Sequence, residues 1–232
     1  MNRTVKPPEE RRQEFIGTAQ TLFYTKGYES TSVNDIIKAV GVSKGAFYHY
    51  FDSKQSVLEA VVDGIVHQSM AVIRQVVDDP NLAAIPKFNR MRQVVSGWKI
   101  ERKRELLAVS KILFSDENIQ LQQRLRSEGE KRFAPELAKI ISQGVAEGVF
   151  ETPYPQESAR FLMAVMRTVS ETFIQLLFEP ERHPDPVAIA QIEFEAAQMA
   201  MERIISAPAG SLILIEMDTL AAWFQQEEKR KE

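Results

Sequence analysis

Between residues 31 and 54 the chain reads TSVNDIIKAVGVSKGAFYHYFDSK, and the chemistry these residues could do is the gripping of a polyanion. Ser32 and Asp35 stand in the Ser/Thr-x-x-Asp/Glu relation that caps a helix N-terminus, and Val33, Ile36, Ile37 and Val40 supply its apolar stripe. Gly41-Val42-Ser43 then reads as a tight turn whose serine caps a further helix over Lys44–Tyr50, with Phe47 and Phe51 spaced to point into a core. The start of that helix, Ser43, Lys44, Gly45 and Ala46, offers backbone N–H groups and an ammonium, with no side chain at Gly45 to hold the backbone away from a surface. Tyr48, His49, Tyr50 and Lys54 bring polar tips that can donate to phosphate oxygens. A duplex major groove admits one α-helix, and a short helix, a glycine turn and an exposed second helix offer one, so the pattern implies double-stranded DNA. Ser32 and Ser43 read equally well as plain helix caps, and His49 as an ordinary surface histidine.

The elements that must carry this stretch are helical. Phe15, Ala19, Leu22 and Phe23 fall on one helix face and Gly27 sits where a left-handed cap belongs, so a first helix is expected over about 9–26. The motif contributes two short helices, and a fourth is expected over about 53–78. After Asp78-Asp79-Pro80, helical stretches follow at about 83–98, 103–114 and 118–147, the last expected to kink or break at Pro135. Beyond Pro153 and Pro155, Ala159, Leu162, Met166, Val169, Phe173 and Leu176 step by three and four. Val187, Ala190, Phe194, Ala197, Met201 and Ile204 do likewise, which predicts paired helices at about 157–178 and 186–206. Ile213, Met217, Leu220 and Phe224 suggest a last helix before the charged tail. No strand-like alternation stands out. The expected fold is all-α: a three-helix DNA-binding head over 1–54, the connecting fourth helix, and a helical regulatory and dimerisation domain over 79–232.

Composition narrows the function. The chain has no cysteine and three histidines, which excludes disulfides, thiolate metal sites and thiol nucleophiles by inventory. His67 and His183 lie in different segments with no metal-binding, phosphate-loop or nucleophile-elbow pattern around them, so no enzyme, no metal and no cofactor is expected. The net charge of -3 divides into +2 over residues 1–54 and -5 over the rest, a mildly basic head on an acidic body. With no uninterrupted apolar run of membrane-spanning length and no apolar leader, a cytoplasmic chain with no membrane partner is expected.

At the motif the sequence resembles the TetR family of bacterial regulators. Leu22-Phe23, Gly27-Tyr28, Thr31-Ser32, Asp35-Ile36, Gly41-Val42-Ser43-Lys44-Gly45, Phe47-Tyr48, Tyr50-Phe51 and Ser53-Lys54 match the family's pattern in order and spacing, over about residues 10–60. Ala46 departs from it, where many relatives carry Thr, Ser or Asn. The resemblance implies that Thr31 and Ser32 hold phosphates, that Lys44 and Gly45 approach base edges, and that Tyr48, His49, Tyr50 and Lys54 grip the backbone. It also implies a repressor acting as a homodimer on a palindromic operator.

The body, rich in Phe and Met, is larger than dimerisation alone requires. Phe88, Met91, Trp98, Phe114, Phe133 and Met163 are candidate lining for a small hydrophobic effector, although each alone also reads as ordinary core. The alternative is a regulator answering to a protein partner or to no ligand. For the paired helices, Leu162, Met166, Val169, Phe173, Leu176, Ala190, Phe194, Ala197 and Met201 are assigned to a two-fold four-helix bundle. The other possibility is that the two seams pack on each other within one chain. Apolar residues off the seams, Met163, Val165, Ile174 and Leu177 on one helix and Ile189, Ile192, Ala196 and Ile205 on the other, favour the dimer because each helix then needs two partners.

Overall fold

The computed structural model describes residues 7–115 and 118–225, and the charged tail of the sequence reading lies outside them. Ten α-helices cover most of this length: α1 (Pro8–Thr25), α2 (Val33–Val40), α3 (Lys44–Tyr48), α4 (Lys54–Val77), α5 (Ala84–Glu101), α6 (Lys103–Leu113), α7 (Ile119–Ala146), α8 (Pro155–Phe178), α9 (Pro186–Ile204) and α10 (Met217–Phe224). No strand occurs among the described residues. The chain divides into two compact units, Met1–Gln68 with Arg104–Leu125, and Ser69–Lys103 with Arg126–Glu232. Residues 104–125, which the sequence pattern assigned to the body, group with the first unit because Val109 and Leu121 are buried in the same core as α1 to α4.

In unit 1 the apolar stripes of α1 and α2 close over Phe47, Phe51, Val57, Leu58 and Val61. Phe15 is the hub. Its ring meets Phe47 at 5.5 Å and Phe51 at 6.1 Å, both edge-on, the geometry in which the positive edge of one ring meets the negative face of another. Gly27 and Gly41 have φ of 88° and 74°, the left-handed turns that end α1 and α2 and that any side chain would strain.

Unit 2 is built on the α8–α9 hairpin, with Leu162 and Leu176 from α8 and Met201 from α9 fully buried. Phe88 of α5 and Ile140 and Ile141 of α7 are buried in the same unit. By length and composition α4 and α8 are each apolar enough to cross a bilayer. The apolar residues of α4, however, fill protein cores, and α8 carries Glu157, Arg160, Arg167 and Glu171.

Three expectations change. α7 runs on through Pro135 without interruption. The proline is exposed, so the carbonyl it leaves unpaired, on exposed Lys131, can turn to water. The last helix starts at Met217, not Ile213. Residues 211–216 are extended instead, with Leu212 and Leu214 buried and Ile213 exposed, a period-two alternation that the sequence reading passed over. Side chains hold this segment in place of a neighbouring strand. Buried Glu202 accepts from the Gly210 and Leu212 N–H groups, Asn89 accepts from Ile213 and donates to the Ser211 carbonyl, and Arg92 donates to Leu214.

Candidate nucleic-acid interface

The turn between α2 and α3 is fixed at both ends by caps. Ser32 Oγ accepts from the Asp35 N–H while Asp35 accepts from the Ser32 N–H at 2.8 Å, a reciprocal pair that satisfies two N–H groups left over at the start of α2. Lys26 donates to Asp35 at 2.8 Å, and this bond, with those from Ser32, holds the Asp35 carboxyl far below the usual carboxylate range. Ser43 Oγ accepts from Ala46 at 3.3 Å and starts α3.

This framework leaves Ser43, Lys44, Gly45, Tyr48 and His49 exposed on one side of α3, while Phe47 on the other is wholly buried and Phe51 nearly so. The Lys44 ammonium lies 5.8 Å from the Tyr48 ring centre, so a cation and a phenol stand side by side. Tyr50 is half-buried, its ring 5.9 Å from Phe15 and 4.9 Å from His49. Ala46 is half-buried and adds no polar atom. Asn34 and Lys38, one turn apart on α2, are exposed donors that the sequence reading missed.

Two residues implied as phosphate ligands have other work. Thr31 is 1% exposed and its hydroxyl donates to the Gly27 carbonyl at 2.7 Å, so it ties the end of α1 to the start of α2 and does not reach a phosphate. Lys54 is largely drawn inward. Its ammonium donates to the Tyr28 carbonyl at 2.9 Å and lies 4.0 Å from the centre of the Tyr28 ring, which pins the first turn of α4 to the α1–α2 turn. Two N–H donors remain on it, so a phosphate contact from Lys54 would be secondary to this anchoring.

Of the six candidate lining residues, five belong to one unit and one to the other. Phe88 and Met91 are buried, Trp98, Phe133 and Met163 are half-buried, and all five belong to unit 2; Phe114 belongs to unit 1 and is 37% exposed. None of the six borders the pocket of about 530 Å3 that α5 forms with residues 213–219. Pro86, Asn89, Arg92 and Ser96 on α5 and Ile213 and Ile215 opposite border it, and polar residues of a helix give no sequence signal for such a role.

The dimer assignment also changes. Leu162, Val169, Leu176, Ala190, Ala197 and Met201 are at most 5% exposed and Phe194 is 8% exposed within the single chain, because the two seams close on each other between α8 and α9. Met166 and Phe173 are half-buried, Phe173 with its ring 5.6 Å from Phe194 and 5.8 Å from Trp223. Residues so covered have almost no surface left for a second copy. The uncovered apolar surface lies off the seams, at Phe161 (60% exposed), Ile192 (65%) and Met199 (52%).

Residues 15–61 match the model of the N-terminal domain of "Bacterial regulatory proteins, tetR family", and residues 106–182 match "Tetracyclin repressor-like, C-terminal domain", so together they take in more than half of the chain. Among curated proteins, the chain is 37% identical over 67 residues to the transcriptional repressor KstR2 of Rhodococcus jostii, which is 29% of this chain and 33% of that protein. It is 32% identical over 79 residues to the transcriptional regulator EthR of Mycobacterium tuberculosis, 34% of this chain and 37% of that protein. The chain therefore spans only about a third of the length of these relatives. Among solved structures, SmeT, the repressor of a Stenotrophomonas maltophilia multidrug efflux pump, superposes with a TM-score of 0.60 at 18% identity over 88% of this chain and 96% of that one. A complex of SmeT with triclosan superposes with a TM-score of 0.59 at 17% identity, over 89% of this chain and 98% of that one. At these identities the structural likeness is one of fold.

Proposed function

The chain belongs to the TetR family of bacterial regulatory proteins, and from that premise we propose that it is a homodimeric, sequence-specific repressor of transcription acting in the cytoplasm, released from its operator by a small molecule held in unit 2. The observation that carries the DNA reading is the capped turn that leaves Ser43, Lys44, Gly45, Tyr48 and His49 exposed while Phe15, Phe47 and Phe51 lock the opposite side of α3. Lys44 and Gly45 approach base edges in the major groove, and Ser43, Tyr48 and His49 hold flanking phosphates. Two copies joined through the uncovered faces of α8 and α9 would read a palindrome with half-sites about 34–36 Å apart, or a multiple of it.

The matched C-terminal family model and the pocket beside α5 support control by a small molecule. SmeT, which shares the fold, is described in complex with triclosan. Coupling of this kind is typically about 1–3 kcal/mol and must be reciprocal, so operator DNA weakens ligand binding by the same factor.

The test is operator selection from a random duplex pool, followed by salt titrations of wild type, Lys44→Ala and Tyr48→Phe against selected and scrambled duplexes. Tyr48→Phe is expected to weaken both duplexes alike, and Lys44→Ala to narrow the gap between them, because a lost phosphate contact carries no base information whereas a lost base contact does. Failure to enrich any sequence would overturn the repressor reading.

A further inference from the structure

We infer that Arg12 of α1 is a further DNA-backbone contact, a guanidinium held on the Phe51 ring where it receives a phosphate flanking the C-terminal end of α3. The inference rests on the proposed DNA reading of the head. It adds a residue outside the turn motif and outside the stretch that matches the N-terminal family model.

The sequence sets the position. Arg12, Phe15, Ile16 and Ala19 fall at i, i+3, i+4 and i+7, so Arg12 begins the stripe by which α1 enters the core of unit 1. Phe15, Ile16 and Ala19 are buried and Arg12 is half-buried, because the stripe reaches the rim of the core there. An arginine at such a rim lays its stem on apolar surface and keeps its charged head outward. Here the guanidinium lies 5.4 Å from the centre of the Phe51 ring, a ring that meets Phe15 at 6.1 Å and Phe47 at 5.9 Å. Phe51 is 4% exposed and locked on its other sides, so it is a fixed platform whose electron-rich face holds the cation.

The platform stands next to the DNA-facing surface. Exposed Tyr48 and His49 end α3, and exposed Asp52 and Ser53 follow Phe51 before α4 begins. The Tyr50 ring touches Phe15 at 5.9 Å and His49 at 4.9 Å, which sets the first turns of α1 beside this end of α3. With α3 in a major groove and its N-terminal residues at base edges, the opposite end of the helix emerges over the sugar-phosphate backbone.

Arg12 has no other partner there. Among the described residues no hydrogen bond or ion pair engages it, not even with neighbouring Asp52, and its nitrogens are not among the buried atoms left unpaired, so the fork opens to the surface. Arg11, next in the chain, differs, since its guanidinium donates to Glu14 at 2.6 Å. The motif itself is short of cations. Of its three lysines Lys54 donates to the Tyr28 carbonyl, and Lys26, just before the motif, is bound to Asp35, which leaves Lys38 and Lys44. Ser43 and Tyr48 bring neutral donors. Binding to a polyanion draws on cations that displace its counterions, and a planar fork already stacked in place fits a phosphate with two parallel hydrogen bonds.

The test uses the full chain, a selected operator and a scrambled duplex. Arg12→Met keeps the stem and removes the charge, Arg12→Gln is the second neutral variant should Arg12→Met not fold, Arg12→Lys keeps the charge, and Arg11→Ala is the control. The neutral variant is expected to weaken both duplexes about tenfold at low salt and to lower the log–log salt slope by about 0.9, so that a fourfold rise in salt narrows its deficit by about threefold. Arg12→Lys should keep the slope, and Arg11→Ala both slope and affinity. Methylphosphonates placed one at a time along the operator then locate the contact, because the one that removes it weakens wild type and leaves the neutral variant unaffected. An unchanged slope in the neutral variant would overturn the contact, and a lowered melting temperature beside it would reduce Arg12 to packing on Phe51. So would methylphosphonates that weaken both proteins alike at every position. A wild type that enriches no operator would sink the DNA reading itself.

Discussion

Phe194 and Ile192 lie two residues apart on α9, and the same substitution at each should fail in opposite ways. Phe194 is 8% exposed and packed edge-on against Phe173, so Phe194→Glu puts a carboxylate among aromatic rings. Losing the ring costs about 3–5 kcal/mol and burying the acid adds to it, enough to lower the melting temperature by ten degrees or more in a chain of this size. Ile192 is 65% exposed, so Ile192→Glu should change the stability of one chain by no more than about 0.5 kcal/mol. In a two-fold dimer through this face, however, each copy loses about 1.5–2 kcal/mol of apolar burial, and symmetry counts it twice. The sum, about 3–4 kcal/mol, weakens dimerisation by a few hundred-fold. Sedimentation velocity over a concentration series, paired with circular dichroism melts, separates the two. A dimeric Ile192→Glu protein would refute the assignment of the outer face, and a Phe194→Glu protein that melts like wild type would refute the account of the seam.

Other substitutions probe the same physics elsewhere. At Gly64, within α4, an added Cβ meets nothing within 4 Å, so Gly64→Ala should stabilise the chain by about 0.5–1 kcal/mol in a thermal melt. Its operator isotherms with and without ligand should shift by the same factor as wild type; a blunted response would make the glycine a hinge. At Gly144, a Cβ would be driven into the ring of Phe150, so Gly144→Ala should cost about 1–3 kcal/mol by urea titration, and should add little to Phe150→Ala, where the ring it would strike is gone. Lys99 has a folded pKa of about 8 against 10.5 unfolded, so between those values the unfolded chain binds more protons and stability should rise with pH. Lys99→Met should flatten that rise in melts taken from pH 7.5 to 10.5.

How far the sequence could be read follows from which forces are local. The head was legible almost residue by residue, because a capping box, a left-handed glycine and a three-four stripe act over a few residues and leave their mark at fixed spacing. Thr31 and Lys54 were harder to read, because a hydroxyl or an ammonium near a DNA-facing turn can also tie that turn together, and it is the carbonyls of Gly27 and Tyr28 that show these two do so. The seams of α8 and α9 were visible, but a stripe records that a face is covered and not by what. Here the helices cover each other, and the question of the partner passes to Phe161, Ile192 and Met199, of which the sequence reading set only Ile192 among the residues off the seams.

The extended segment after α9 was missed for a related reason. Its backbone is satisfied by Glu202, Asn89 and Arg92, side chains up to 124 residues away or on the helix before it, so no neighbouring strand announces it in the sequence. That choice ties the segment to α5. Arg92 must turn inward to reach Leu214, and in doing so it brings a guanidinium off the solvated face where a charged residue of a helix is ordinarily read. The geometry that completes the backbone of residues 210–214 is thus also the geometry that leaves Nε without an acceptor. A hydrogen bond made to secure the fold and a buried donor without a partner come from the same side chain.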